Sequence, residues 1–292
     1  EQILPNYTLR INDTDDKSFQ QFIEYASMSK ANKALAKMLF SDKNLQSSMD
    51  VGFKGNPNIG SVVLNQIAHS TDFEDFANSF SDGDRIFIIS SIFGGTGASG
   101  FPLLLKTLRN GTDFPNHDVI NKATIGAVTI LPYFKLQQND ESEIDSSTFV
   151  SKTKSALAYY ENNISKNGSI DALYYLADDV SKTYENHEGG SSQRNDAHLI
   201  EFLGATAIVH FSNSQFMAPA NMELGIKEVG GSVSFDSFYR KMREMLYRPL
   251  VQFTMMANAL THKANTFQSA SFNANKGNFD DFYSGMFYSD LE

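Results

Sequence analysis

Apolar residues along this chain switch between two spacings, and each switch marks an element. Ile86-Phe87-Ile88-Ile89-Ser90-Ser91-Ile92 is short and nearly all apolar, as a strand buried on both faces of a parallel sheet should be. Thr124–Leu131 repeats that pattern and stops at Pro132, and Ile170–Leu176 repeats it again, with Asp178-Asp179 at its edge. Helical spacing fills the gaps. Val63, Ile67, Phe73, Phe76 and Phe80 predict a helix over Gly60–Phe80. Further helices are predicted from Pro102 to Leu108 or slightly beyond, over Phe149–Ile164 and over Leu199–Phe211. This alternation across 86–211 predicts an α/β fold, a parallel Rossmann-like sheet with right-handed crossovers. In such sheets ligands sit beyond the carboxyl ends of the strands. Upstream, Phe19, Phe22 and Ile23, then Leu35, Met38 and Leu39, predict two surface helices. Downstream, Ser212–Ser234 reads as loop. Phe235–His262 is strongly helical, with Pro249 placed to kink or split it. Met245, Met255 and Met256 on that helix suit core filling, with a partner groove as the alternative. The pattern divides the chain into an α/β part, 1–211, and a divergent or incomplete, mainly helical part, 212–292.

The turn after the first strand is the chain's most specific feature. It reads Phe93-Gly94-Gly95-Thr96-Gly97-Ala98-Ser99-Gly100, and an apolar helix follows. Strand, glycine-rich loop and helix in that order make an anion site. Glycines let backbone N–H groups crowd a phosphate, and the helix N-terminus adds partial positive charge. Thr96 and Ser99 offer hydroxyls, and Pro102 suits a first helical turn. No Gly-Lys-Ser/Thr follows, so this is not a Walker A loop, and the spacing departs from G-x-G-x-x-G. A glycine-rich strand-to-helix turn without a ligand is the alternative.

The stretch resembles the loop G-G-G-T-G-(S/T)-G of the tubulin/FtsZ family, which holds the phosphates of GTP; Phe93 stands at the family's first glycine and Ser99 at its last. Upstream, Gly55-Asn56-Pro57-Asn58-Ile59-Gly60-Ser61 is similar to the family segment G-A-N-P-E-V-G-R, which approaches the terminal phosphate. An Asn-Pro turn capping a helix is the other reading there. Asn195-Asp196 stands where the family's long central helix begins and an Asn or Asp reads the guanine edge; helix capping is the alternative. Ser192 occupies the family's stacking-aromatic position, and Tyr184 is the candidate substitute. The family hydrolyses GTP with acids that one subunit's loop inserts into its neighbour's site. Here the nearest such stretch is Asn221-Met222-Glu223-Leu224-Gly225-Ile226, in which Ile226 replaces the second acid; a plain surface loop is the alternative.

The resemblance spans residues 50–212. The opening residues hold only a strand candidate, Tyr7–Ile11, and no first glycine loop. The resemblance implies a divergent prokaryotic tubulin-like protein, with 1–211 as its nucleotide-binding domain. It implies GTP or GDP bound by Gly55, Asn56, Pro57, Gly94, Gly95, Thr96, Gly97, Ala98, Ser99, Asn195 and Asp196. Magnesium is the one further cofactor it admits. It also implies head-to-tail self-association and, where Asn221 and Glu223 act as catalytic residues, GTP hydrolysis. The alternative is a non-catalytic interaction protein or scaffold on the same fold, with a degenerate pocket.

Composition narrows the field without adding a motif. Net charge is −10 in 292 residues, which disfavours a nucleic-acid partner. There is no cysteine, hence no disulfide and no thiolate metal site. No apolar run reaches membrane-span length, so the expectation is a cytoplasmic protein without a membrane partner. Six histidines occur without H-E-x-x-H, and no G-x-S-x-G elbow is present. Asp178-Asp179 could reach a magnesium ion, but a solvated strand end is the favoured reading.

Overall fold

A computed structural model describes residues 14, 16–49, 52–138, 146–187, 195–216, 221–225, 234–238 and 240–263. The chain forms two compact units, Glu1–Gly225 and Ile226–Glu292. The first unit opens with short helices α1 (Phe19–Phe22), α2 (Lys30–Leu39), α3 (Asp42–Gln46), α4 (Pro57–Leu64) and α5 (Thr71–Ser79). Strand β1 (Arg85–Ser91) then leads into α6 (Gly95–Asn110) and α7 (His117–Ile120). Next come β2 (Thr124–Ile130), β3 (Phe134–Leu136), α8 (Phe149–Asn163), β4 (Ala172–Leu176), β5 (Lys182–Tyr184), α9 (Leu199–Asn213) and β6 (Met222–Leu224).

The chain is an α/β protein with a parallel central sheet in the order β1-β2-β4-β6. Three of these four strands are the apolar runs of the sequence. Side chains alternate between the two faces of the sheet. Ile125 and Ala127 of β2 and Leu173 of β4 join Phe101, Leu105 and Leu108 of α6, Phe73 of α5 and Tyr160 of α8 in one core. The opposite face receives α9. Phe211 packs on Phe87 with ring centroids 5.1 Å apart, and Tyr174 bonds His210 Nδ1 at 2.6 Å. A second core joins Phe19, Leu45, Phe53, Ile59 and Val63 under α1, α3 and α4. A two-stranded parallel ribbon, β3 with β5, extends beyond the carboxyl ends of β2 and β4.

Local chemistry moves several expected boundaries. The helix predicted over Gly60–Phe80 is broken between α4 and α5, because Ser70 accepts the Phe73 amide at 3.2 Å and starts a new helix. Helix α6 begins at Gly95, seven residues before Pro102, so the glycines form its first two turns. Pro102 therefore lies inside the helix and leaves the Ala98 carbonyl without its helical donor. The stretch expected as loop after α9 contains β6, which pairs Met222 with Ala172 and Glu223 with Leu173. In the second unit, α10 (Arg240–Lys263) runs unbroken through Pro249. Met245 and Met255 on it are exposed rather than core-filling. Tyr7–Ile11, Ser192 and Ile226 lie outside the described residues.

Parallel pairing fixes which loops share an edge. Ile92–Gly94 follows β1, Leu131–Tyr133 follows β2 and Ala177–Asp179 follows β4, all at the carboxyl edge. Asn221 precedes β6 at the opposite, amino edge, where Arg109 pins the sheet. Its guanidinium reaches the Asp171 carboxylate at 2.8 Å and the Ala123 carbonyl at 2.6 Å. The same carboxylate accepts the Ile125 amide at 2.8 Å.

Candidate functional site

The two glycine segments, some forty positions apart in sequence, meet at the carboxyl edge. A side chain at Gly95 would place its Cβ 3.0 Å from the Asn56 amide nitrogen, 3.2 Å from that of Gly55 and 2.9 Å from Phe53 Cβ. Only glycine permits that approach. Gly97 packs against the backbone of Ser91, with the Ser91 nitrogen 2.9 Å from the position of a Cβ. These glycines therefore serve close backbone packing of α6 on β1 and on the Gly55-Asn56 turn. Gly94 differs: the nearest atom to an added Cβ is the Ser91 hydroxyl, at 3.2 Å.

Both helices start without a capping side chain. Asn56 is the N-cap of α4, yet its amide group turns back to the Lys54 carbonyl at 3.4 Å. Gly94 is the N-cap of α6 and has no side chain to offer. Leading backbone amides of a helix have no partner within it, and a capping group or an anion satisfies them. The turn before α4 is held by Gly55, at φ 73°, and by the Lys152 ammonium of α8, which donates to the Gly55 carbonyl at 2.8 Å.

Between α4, α6 and α8 lies a cavity of about 670 Å³. Its lining includes Asn56, Pro57, Gly94, Ala98 and Ser99 of the expected set, together with Asn58, Ser61, Lys106, Ser151, Lys152, Ser155, Tyr159 and Tyr160. Among the described residues no carboxylate lines it, while two lysines do. The described lining thus contributes positive charge in a chain of −10. Lys106 and Lys152 have no counterpart among the sequence motifs. One signal for α8 is legible in retrospect: Lys152, Ser155, Ala156 and Tyr159 follow i, i+3, i+4, i+7 and so share one face.

Several expected donors have other employment. The Ser99 hydroxyl is buried and donates to the Gly95 carbonyl at 2.7 Å, within its own helix. Thr96 is exposed but does not line the cavity. Phe93, at the family's glycine position, anchors the turn in an aromatic cluster. Its ring lies 5.1 Å from Phe149, 5.7 Å from Phe134 and 6.3 Å from Tyr133. Tyr133 continues to His198, 4.8 Å between centroids, and His198 Nδ1 stands 3.8 Å from Asp178. Tyr184 packs edge-on against Phe134 within the same cluster, with its hydroxyl buried.

Asn195 and Asp196 are exposed and lie on the segment leading into α9 at this same edge. They do not cap α9. Its N-cap is His198, whose side chain makes no capping bond. Asp196 instead pairs with Lys182 of β5 at 3.4 Å. Neither residue lines the cavity; ring contacts run from Phe93 through Tyr133 to His198, two positions after Asp196.

Asn221 and Glu223 are at the amino edge, away from the glycine turn. Glu223 accepts from the Ser165 hydroxyl at 2.6 Å and the Tyr175 hydroxyl at 3.0 Å, and Asn221 donates to the Ser165 carbonyl. Burial, with the Glu223 carboxylate adding, pushes the Tyr175 hydroxyl up to about 12. Tyr160, a buried residue of the cavity wall, is also raised, chiefly by burial. Among the described residues no cluster of three His, Asp or Glu could hold a metal, and no helix is long and apolar enough to cross a membrane. The chain matches no protein-family model, no curated protein and no solved structure.

Proposed function

We propose that the chain is a guanine-nucleotide-binding protein of the tubulin/FtsZ type, with the phosphates held at Gly94 and the Asn56-Pro57 turn. The observation that carries this reading is that the N-caps of two helices, Asn56 and Gly94, neither with a capping side-chain bond, line one cavity together with Lys106 and Lys152 and, among the described residues, no carboxylate. Backbone amides and ammonium groups together suit a di- or triphosphate. The cavity volume of about 670 Å³ falls in the range of small-ligand sites. Asn195 and Asp196 accept from the guanine edge, which requires a nucleotide that extends from the glycine turn toward α9. GTP or GDP is the ligand, and magnesium, where it takes part, is carried by the phosphates.

The test is isothermal titration of GTP, GDP and ATP, with variants chosen to spare the fold. Gly94→Ala meets only the end of the Ser91 side chain, so it should melt near the wild-type temperature and lose about tenfold or more in nucleotide affinity. Lys106→Met, on an exposed position, should lose a similar amount, since one charge-assisted bond is worth about 1.5–3 kcal/mol. Asn195→Ala with Asp196→Ala should narrow the GTP-to-ATP ratio and leave phosphate binding intact. Unchanged GTP affinity in both Gly94→Ala and Lys106→Met would falsify the placement.

One observation favours a second reading, a non-catalytic scaffold on the same fold. Glu223 is tied to Ser165 and Tyr175 within its own subunit, which gives it a structural role. Saturable GTP binding without phosphate release at any protein concentration would establish that reading over the hydrolytic one.

A further inference from the structure

We propose that α2 is a docking face for an anionic lipid surface. This helix of ten residues is started by Ser29, whose hydroxyl accepts the Asn32 amide at 3.2 Å. It gives the core almost nothing: Ala36 is its single buried residue. Its large apolar side chains point outward instead. Leu35 is 55% exposed, Met38 84% and Leu39 60%. Ala31, Ala34, Leu35 and Met38 follow i, i+3, i+4, i+7 and form one apolar ridge on the solvent side. A ten-residue helix is marginal on its own in water, so an outward apolar ridge adds nothing to its folding. A contiguous exposed patch of this kind marks an interaction surface, where a single exposed residue would not.

Charge selects the occupant. Lys30 and Lys37 border the ridge at i, i+7, and Lys43 follows four positions past its end. None of the three makes an ion pair among the described residues. Lys33 is spent differently: it faces the protein, donating to the Ala26 carbonyl at 2.8 Å and lying over the Tyr25 ring. Glu24 and Asp42 are the acids on either side, and no acid lies between them. Residues 17–46 therefore carry +3 in a chain of −10. An apolar ridge flanked by lysines is the pattern of helices that lie in a bilayer interface. A symmetric contact with a second copy would set these lysines against each other, whereas an anionic bilayer complements them and requires no matching groove. The contact lies on the surface, since no described helix can span a membrane.

Flotation with vesicles tests this without nucleotide, so the outcome does not depend on the nucleotide reading. The vesicles are phosphatidylcholine alone, or phosphatidylcholine with about 30% phosphatidylserine. The protein should float with the anionic vesicles only, and binding should fall steeply as salt is raised. Leu35→Ser with Met38→Ser keeps the charge and should lower binding about tenfold or more. Lys30→Glu with Lys37→Glu keeps the ridge and should lower it comparably. These positions are exposed, and circular dichroism of each variant checks that it folds. The chain has no tryptophan, so Met38→Trp provides a single reporter whose emission should shift to the blue on anionic vesicles. No flotation, or flotation indifferent to Leu35→Ser with Met38→Ser, overturns the proposal. So does a dimer that the same variants abolish in the absence of lipid binding.

Discussion

Tyr175 shows how one residue's surroundings become a measurable property. Its hydroxyl donates to Glu223 from a half-buried position, and its pKa rises from 10.0 to about 12. The folded state thus holds the proton that the unfolded chain releases near pH 10. Stability is therefore lost as pH rises from about 10 to about 12. Ultraviolet titration of the folded protein should show tyrosine ionisation delayed into that window. Glu223→Gln, which removes the nearby negative charge, should bring part of it back toward 10.0. An unaltered titration curve in Glu223→Gln would show that burial alone sets the shift. At the same scale, the glycines divide by role. Gly95 and Gly97 are required by backbone contacts, while Gly94 has room for a methyl. Sequence alone shows equivalent glycines; only the neighbours tell the packing glycines from the accessible one.

At the scale of elements, the site depends on how α4 lies on α6. Gly60 of α4 faces Ser99 of α6, and a Cβ there would meet Phe53 Cδ2 at 2.8 Å and the Ser99 side chain closer still. Gly60→Val should force the helices apart and cost about 1–3 kcal/mol. That is roughly 2–4 °C in Tm for each kcal/mol in a unit of this size. Because the Asn56-Pro57 turn starts α4, the same change should weaken nucleotide binding more than Lys106→Met does, although Gly60 does not line the cavity. Wild-type affinity in a destabilised Gly60→Val would show that the turn is held by Lys152 and Gly55 alone. The strands β1, β2 and β4 were legible within one or two residues, because buried parallel strands read as continuous apolar runs. The start of α6 was not, since glycines score as loop unless packing holds them helical. Nor was β6, three residues long, whose identity comes from its pairing with β4.

At the scale of the whole molecule, the two ends of the sheet carry different chemistry. The glycine turn is at the carboxyl edge, and Asn221 and Glu223 are at the amino edge. A head-to-tail assembly would bring these opposite edges together, and one whose rotation does not close would extend as a filament. If sites are shared in this way, GTP turnover per molecule should climb with protein concentration and sedimentable material should form with GTP. Glu223→Ala should lower turnover while leaving nucleotide affinity unchanged. Constant specific activity across a wide concentration range would remove the shared-site assembly from consideration.

The sequence by itself determined the alternation of apolar strands and helices, the two glycine segments and the acidic balance of the chain. These are properties of local spacing and composition. The tertiary structure decided that the two glycine segments touch, because close approach depends on which backbones face Gly95. It also decided that Lys106 and Lys152 line the cavity beside them, because these lysines come from α6 and α8, which no motif connects. Phe93 acquired its role as an anchor from Phe134 and Phe149, which lie far along the chain. The outward ridge of α2 has the same origin. Its periodicity was plain in the sequence, but periodicity locates an apolar face without saying whether that face meets the core or the solvent.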